Sequence, residues 1–167
     1  VTGVQTCALP IFAFGDHSYA LGVGSYAIGD FCYAGGETGD QLFNPNCMAI
    51  GIGCGATGES SIAFGSYAWA TGIRSMAIGI DATADGDNSI AIGTMGNEAT
   101  GAFSMTLGSF VSSNGYTGSF LYGDYSTSMD MDTLYATNDN QFKVTAEGGF
   151  VFHADSKKKK KNSIFIQ

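Results

Sequence analysis

Proline and charged side chains are scarce in this chain, and their scarcity excludes several classes of protein. The 167 residues include two prolines beside 25 glycines, which excludes collagen, since collagen needs Gly at every third position and abundant Pro. The net charge is −8, and five of the seven basic residues form one run at 157–161. The rest of the chain sets 15 acidic residues against Arg74 and Lys143. A protein this acidic repels the phosphate backbone of nucleic acids, so we expect no nucleic-acid partner.

Long apolar runs and catalytic side chains are lacking as well. No stretch of 18 apolar residues occurs, so no transmembrane helix is predicted. The two histidines, His17 and His153, lie near opposite ends without a nucleophile beside them, and no G-x-S-x-G is present. Residues 53–58 satisfy G-x-G-x-x-G, but a dinucleotide site needs that motif between a strand and a helix, and no helix is expected there. We therefore predict a protein that is not an enzyme and binds no cofactor.

A seven-residue repeat, Ala-x-Gly, runs through most of the chain. Residues 37–46 interrupt the repeat as an expected loop, and Thr106, Ser113 and Leu121 replace the alanine in degenerate copies. A heptad could indicate a coiled coil, but a Gly in every heptad costs a helix about 1 kcal/mol per Gly. The repeat instead predicts short strands with Gly-containing turns, stacked as a solenoid. The repeated alanines are Ala13, Ala20, Ala27, Ala34, Ala49, Ala56, Ala63, Ala70, Ala77, Ala84, Ala91 and Ala99.

The residues that flank each alanine reveal a true period of fourteen. Around Ala63 and Ala91 both neighbours are large and apolar, whereas around Ala56 and Ala84 they are small or polar. Side chains alternate across a strand, and inward flanks would bury Thr, Asp and Glu, so the alanines must face inward. We predict an all-β, parallel β-roll built from fourteen-residue coils, too thin for interior side chains larger than alanine. Its predicted interior comprises Ala49, Ala56, Ala63, Ala70, Ala77, Ala84, Ala91 and Ala99.

One outer face of this roll then carries a contiguous apolar stripe. A soluble monomer rarely exposes such a stripe, and closed symmetric self-association is the usual way to cover it. Three rolls around one axis would bury it, so a homotrimer is predicted. In the first rungs Tyr19, Tyr26 and Tyr33 all flank the alanines, and the two faces are not distinguished there. The predicted trimer interface comprises Met48, Ile50, Ile62, Phe64, Met76, Ile78, Ile90, Ile92, Met105 and Leu107.

The cysteines and two polar segments are the remaining candidates for chemical sites. Cys32, Cys47 and Cys54 each stand two residues before a repeat position, where serine stands elsewhere, and are interpreted as small residues in a turn. A Cys47–Cys54 bond between adjacent rungs stays open for an oxidising compartment. No Cys-x-x-Cys supports zinc. Segments 130–132 and 138–140 offer oxygens that calcium prefers, but exposed loops explain them equally, so no metal site is predicted.

The repeat units resemble a known family. Units such as 61–65 and 88–93, alternating with 56–58 and 70–72, resemble the head repeat of trimeric autotransporter adhesins, the YadA-like head. The resemblance implies a left-handed parallel β-roll and an obligate trimer. It also implies display outside a bacterial outer membrane, on the cell surface, and adhesion to a host or matrix surface whose ligand the sequence does not name.

The C-terminal segment leaves a second function open. Segments 136–142 and 146–152 resemble stretches that follow such repeats in bacterial surface proteins and in phage tail fibres. The alternative function is therefore a structural or receptor-binding segment of a phage tail fibre, on the virion. From the residues alone, 141–145 and 149–153 are predicted as two strands of a short hairpin joined by a Gly-Gly turn.

The two ends are expected to be foreign to the natural protein. Residues 1–11 resemble the translation of a sequencing-adapter oligonucleotide and are left out of the fold. Residues 157–167, with the lysine run, are predicted to be artefactual or disordered. Between them the predicted organisation is a repeat roll at 12–123 with the loop at 37–46, then a connector at 124–156. The natural protein is expected to continue beyond both ends.

Overall fold

The described part of the chain consists of β-strands and turns. This computed structural model describes residues 11–36, 45–124, 133–153 and 163–166. No helix in these ranges is long and apolar enough to cross a membrane. The strands are β1 (Phe12–Phe14), β2 (Tyr19–Ala20), β3 (Tyr26–Asp30), β4 (Tyr33–Ala34), β5 (Met48–Ile52), β6 (Gly55–Ala56), β7 (Ile62–Ser66), β8 (Trp69–Ala70), β9 (Met76–Ala84), β10 (Ile90–Ala99), β11 (Met105–Ser109), β12 (Val111–Ser112), β13 (Phe120–Gly123), β14 (Leu134–Tyr135), β15 (Phe142–Thr145), β16 (Phe150–His153) and β17 (Ser163–Ile166).

Strands β1 to β15 pair in parallel as two ladders. The first ladder runs β1-β3-β5-β7-β9-β10-β11-β13-β15. The second runs β2-β4-β6-β8 and continues through the C-terminal parts of β9 and β10 to β12 and β14. Each coil contributes one rung to each ladder, and the repeat alanines Ala63, Ala77 and Ala91 pair in register with one another. The predicted all-β parallel roll of fourteen-residue coils is confirmed, whereas its handedness and the trimer stay predictions.

Columns of small inward side chains fill the roll. The eight alanines predicted to line it are all fully buried. The residue two positions before each of them also points inward, because side chains alternate along a strand. On the first ladder this second column is Ser25, Cys47, Ser61, Ser75, Ser89, Ser104 and Ser119, and on the second it is Ser18, Cys32, Cys54, Ala68, Ala82, Asn97, Val111 and Leu134.

Toward its C-terminal end the roll contains larger inward side chains than the repeat predicts. Leu121 and Val111 are fully buried inside it, so the expectation that nothing larger than alanine fits is wrong. Two consecutive coils there are each longer than the regular coil by a single residue, and the first of them has a register shift between Thr94 and Asn97. After this shift Asn97 pairs with Ala82 in the inward column, and its Nδ2 donates to the Thr106 carbonyl oxygen at 3.2 Å.

The glycine of the repeat is required by the close approach of successive coils. Gly51 and Gly65 have φ of 143° and 136°, a region that side chains rarely adopt. A Cβ on Gly51 would collide with the carbonyl oxygen of Gly65, and a Cβ on Gly65 with that of Gly79. A side chain at either position is therefore excluded by both space and backbone conformation.

The corners of the roll place residues other than glycine in the left-handed region. Tyr67 and Arg74, each four residues after an inward alanine, have φ of 54° and 56°, which costs about 1 kcal/mol per residue. The corners are joined from coil to coil by backbone hydrogen bonds. Tyr67 N donates to Ile52 O at 2.9 Å, and Arg74 N donates to Glu59 O at 2.7 Å. These bonds offset the strain.

The predicted loop at 37–46 includes two residues that belong to the roll itself. Residues 37–44 lie outside the described residues, whereas Pro45 and Asn46 belong to a corner of the roll. The Pro45 carbonyl accepts a hydrogen bond from Ser60 N at 2.9 Å, and Asn46 N donates to Val23 O at 2.7 Å. Those two residues are therefore part of the coil-to-coil bonding.

The roll continues past residue 123, where the repeat pattern places its end. Strand β15 pairs in parallel with β13 and sets Lys143 opposite Leu121 in the inward column. The Lys143 ammonium donates to the Tyr135 carbonyl oxygen at 2.8 Å. A lysine suits this position because the terminal repeats of solenoids need polar caps. Because Lys143 stands where other coils have alanine, a search for repeated alanines does not find the coil that contains β15.

The predicted C-terminal hairpin is wrong in its pairing. Both predicted strands form, but β15 joins the first ladder and β16 pairs antiparallel with β17. The exposed edge of β13 offers β15 a parallel partner, and the Gly-Gly turn at 148–149 does not close a hairpin between β15 and β16. The tail was predicted to be disordered or artefactual, yet Ser163–Ile166 form a strand. Residues 154–162, with the lysine run, lie outside the described residues.

Candidate functional site: the apolar outer face

The two columns that flank the inward column of the first ladder form one outer surface, here called the apolar outer face. Strand pairing carries both columns without interruption from β1 to β15. All 18 positions hold apolar or aromatic residues: Phe12, Tyr26, Met48, Ile62, Met76, Ile90, Met105, Phe120 and Phe142 in one column, and Phe14, Ile28, Ile50, Phe64, Ile78, Ile92, Leu107, Tyr122 and Val144 in the other.

The ten residues predicted to form a trimer interface all lie on this face. Phe64 is 52% exposed and Met48 is 36% exposed, while the other eight are half-buried because neighbours in the same column cover part of each side chain. The structure therefore brings the predicted residues together on one side of the roll, and their role as an interface stays a prediction.

Eight residues of the apolar outer face were missed by the sequence reasoning. Tyr26 and Ile28 pair with Met48 and Ile50, so the chain between them is eight positions longer than a regular coil. The chain between Phe120 and its partner Phe142 is lengthened by the same amount. These additions to the fourteen-residue coil conceal both pairings, and a search for the longer interval would have found them.

The outward side of the second ladder, here called the mixed outer face, has a different character. Tyr19 and Tyr33 stack with ring centroids 5.2 Å apart, and the Trp69 ring lies over Gly55. Strand pairing assigns Tyr19 and Tyr33 to the second ladder and Tyr26 to the first, which the sequence left undecided. Farther along, the mixed outer face carries polar residues such as Thr83, Asp85 and Glu98, with Tyr135 at its far end.

Charged side chains are absent from the 18 positions of the apolar outer face. Exposed carboxylates such as Asp30 and Asp81 lie beside it or at the corners, and Asp85 lies on the mixed outer face. Thr71 Oγ1 donates to Asp85 Oδ1 at 2.6 Å. Depletion of charge at the centre of a surface, with polar groups around it, is typical of protein–protein interfaces.

The other residues considered as chemical sites do not assemble into one. His17 Nδ1 lies 2.9 Å from Asp16 Oδ1, and its ring stacks on Phe31. Residues 53–58 form a corner and β6, with no helix after them. Asp139 Oδ1 accepts a hydrogen bond from Thr117 N at 2.8 Å, and 130–132 lie outside the described residues. No group of three or more His, Cys, Asp or Glu in the described ranges is placed to hold a metal.

The cysteines are placed differently from the sequence interpretation. They are inward residues that directly precede strands β4, β5 and β6 rather than turn residues, and all three are fully buried. Cys47 lies on the first ladder, with its Sγ 3.0 Å from the Gly58 carbonyl oxygen. Cys32 and Cys54 are neighbours on the second ladder, with their Sγ atoms 2.9 Å apart. Cys47 and Cys54 lie on different ladders, and the thiol that Cys54 contacts is that of Cys32, so the Cys47–Cys54 bond is not the pairing that this geometry favours.

The fold and its apolar side define a repeat solenoid suited to association along one face. Residues 48–68, 56–79 and 70–94 match the family described as YadA head domain repeat (2 copies). Residues 48–94 are therefore YadA head repeats, and the match indicates an adhesin-type segment. No curated protein and no solved structure matches the chain.

Proposed function

We propose that the roll is a non-enzymatic adhesin head that assembles as a homotrimer through the apolar outer face. The observation that carries this proposal is an 18-residue apolar surface without a charge. Removing apolar area from water contributes about 25 cal/mol per Å², and a contiguous patch of this kind marks an interaction site. An identical copy carries the same face, and YadA-like adhesins generally form homotrimers, which supports three copies rather than two.

The parallel strands suit a threefold arrangement. Rungs repeat about every 4.8 Å along the roll, so three parallel rolls with their apolar outer faces toward a common axis would align the columns level by level. The corners and the mixed outer face would stay in water with their carboxylates. A cyclic assembly of this kind is closed and does not continue into fibres.

The mixed outer face is the surface that would meet a host or matrix ligand. The stacked Tyr19 and Tyr33 rings and the Trp69 ring supply large rigid contact areas, which are enriched at binding hot spots. We place this face outside the bacterial outer membrane, as the repeat family implies. The proposal requires no cofactor, metal or nucleic acid.

Sedimentation equilibrium of the full chain tests the assembly. The expected mass is three times the chain mass of 17.3 kDa. In the variant Phe64→Glu a carboxylate would be buried in the trimer, whereas in a single roll this position is 52% exposed. We expect Phe64→Glu to lower the oligomer mass while the β-sheet circular dichroism is kept.

Thr57→Glu is the matched control. Thr57 also flanks an inward alanine, but it lies on the mixed outer face, one coil rung away from Phe64. Its variant should remain trimeric. A wild-type chain that sediments as a single copy, or a loss of association in both variants, would contradict the proposal.

A phage tail-fibre segment is the alternative function. The resemblance of 136–142 and 146–152 to stretches found in tail fibres favours it, and the same trimer would serve there as spacer or receptor binder. The two functions are distinguished by sequencing the source DNA on both sides of the repeat. A trimeric membrane anchor would support the adhesin, and a self-cleaving chaperone would support the fibre.

A further inference from the structure

Two buried thiols meet inside the roll at the coil that carries the eight-residue insertion. Cys32 and Cys54 directly precede the paired strands β4 and β6, and Tyr33 N donates to the Cys54 carbonyl oxygen at 2.9 Å. The two residues are thus neighbours in one inward column, with Sγ atoms 2.9 Å apart and both side chains fully buried.

The backbone spacing suits a covalent link. Adjacent strands lie about 4.8 Å apart, within the Cα separation of about 4.4–6.8 Å that disulfides span. Cys32 Sγ also lies 3.2 Å from the Gly51 carbonyl oxygen, so the reduced thiol has a hydrogen-bond acceptor of its own. The two sulfurs, 2.9 Å apart, lie within about 1 Å of the disulfide bond length.

The two cysteines flank a lengthened coil, which a covalent link would stabilise. The chain from Cys32 to Cys54 includes residues 37–44, which make this coil longer than the regular repeat. Closing a longer loop costs more conformational entropy. This coil is therefore less favourable to close than a regular fourteen-residue coil. A cross-link there constrains the unfolded chain across one of the two lengthened coils.

We propose that Cys32 and Cys54 form a disulfide that locks the coil carrying the insertion. In the reaction a thiolate of one cysteine attacks a disulfide oxidant, such as the disulfide of an oxidoreductase or of oxidised glutathione, and forms a mixed disulfide with it. The second thiolate then attacks this bond and releases the reduced oxidant. Two S–H bonds are lost and one S–S bond forms, while the oxidant's disulfide takes up two electrons and two protons.

The burial of the two thiols inside the roll determines at which stage of folding the disulfide can form. Burial, with the adjacent Cys32 thiol, raises the pKa of Cys54 well above its ordinary range, so little thiolate forms after the coils have closed. The bond must form while the coil is still open during folding, and once inside the roll it is shielded from reductants. Oxidation should therefore succeed in refolding protein and fail in folded protein.

The test is oxidative refolding of the full chain with oxidised and reduced glutathione, followed by unfolding, alkylation of free thiols and intact mass measurement. In a Cys7→Ser, Cys47→Ser background the two remaining cysteines are expected to escape alkylation. The matched control is Cys7→Ser, Cys32→Ala, which leaves Cys47 and Cys54 on different ladders, and there both thiols should be alkylated. Alkylation of Cys32 and Cys54 in the first variant, or a bond in the second, overturns the proposal.

Thermal unfolding provides a second readout. We expect the oxidised wild type to melt on the order of 5–10 °C above the reduced form. Cys32→Ala should abolish this difference, and Cys47→Ser should keep it, because serine fills the Cys47 column at Ser61 and alanine fills the other column at Ala68. An equal melting temperature for oxidised and reduced wild type would contradict a stabilising disulfide between Cys32 and Cys54.

Discussion

Inside the roll, buried serine hydroxyl groups differ in their hydrogen-bond partners. Ser113 Oγ accepts hydrogen bonds from Thr100 N and Gly101 N, both at 2.9 Å. Ser75 Oγ and Ser89 Oγ are buried and have no hydrogen-bond partner among the described residues. The repeat marks all three as small, and only the structure tells which hydroxyl contributes to stability.

Replacing these serines should have opposite effects. Ser113→Ala removes an acceptor from two buried N–H groups and should lower the free energy of unfolding by about 1–3 kcal/mol. Ser75→Ala removes an unpaired hydroxyl and should leave it unchanged or raise it by up to about 1 kcal/mol. Urea denaturation of both variants measures the difference, and an equal loss in both would contradict the assigned bonds.

The buried Cys54 thiol predicts a loss of stability in alkali. In the reduced protein the folded-state pKa lies above the ordinary value of 9.0, because burial disfavours the thiolate. The unfolded chain therefore releases a proton that the folded chain keeps, and stability is intact below about pH 9 and falls above it. The expected slope from this group is about 1.4 kcal/mol per pH unit. Denaturation of reduced wild type and Cys54→Ala between pH 8 and about 10.5 should show a shallower decline in the variant.

At the scale of elements, the strand pattern and the interruption at 37–46 were predictable from the sequence, whereas the coil beyond residue 123 was not. The alternation around Ala63 and Ala91 specifies which side chains face inward, since a strand has a period of two. The additional residue near Thr94 and the eight added residues at 37–44 shift the register without altering the local pattern. The sequence therefore indicated the interior and the middle of the apolar outer face, but not Lys143 as an inward residue or β15 as a further rung.

The glycine column offers a direct test of the coil spacing. Gly65→Ala places a Cβ against the Gly79 carbonyl oxygen in a backbone region that alanine avoids, and should cost about 3 kcal/mol. Gly148→Ala is the control, because no atom lies within 4 Å of the added Cβ, and it should change stability by less than about 0.5 kcal/mol. Equal destabilisation of the two, measured by urea denaturation, would be inconsistent with coils in contact at Gly65.

For the whole molecule, the apolar outer face links stability to assembly. If three rolls share this face, the folded state is favoured by mass action, and the melting temperature should rise with protein concentration. We expect a rise of roughly a few °C for a tenfold increase in concentration. Calorimetry of the wild type and of Phe64→Glu should show this dependence in the first and its loss in the second, whereas concentration-independent melting of the wild type would argue for a single roll.

The two lengthened coils have a consequence for how such a rod can diversify. Tyr26 meets Met48, and Phe120 meets Phe142, in the same alignment that unbroken coils use, although each junction has gained eight residues. The first gain follows a rung of the second ladder and the second follows a rung of the first, so either side of the rod tolerates one. New peptide can therefore be inserted at a corner and vary in sequence while the inward contacts of the roll stay the same.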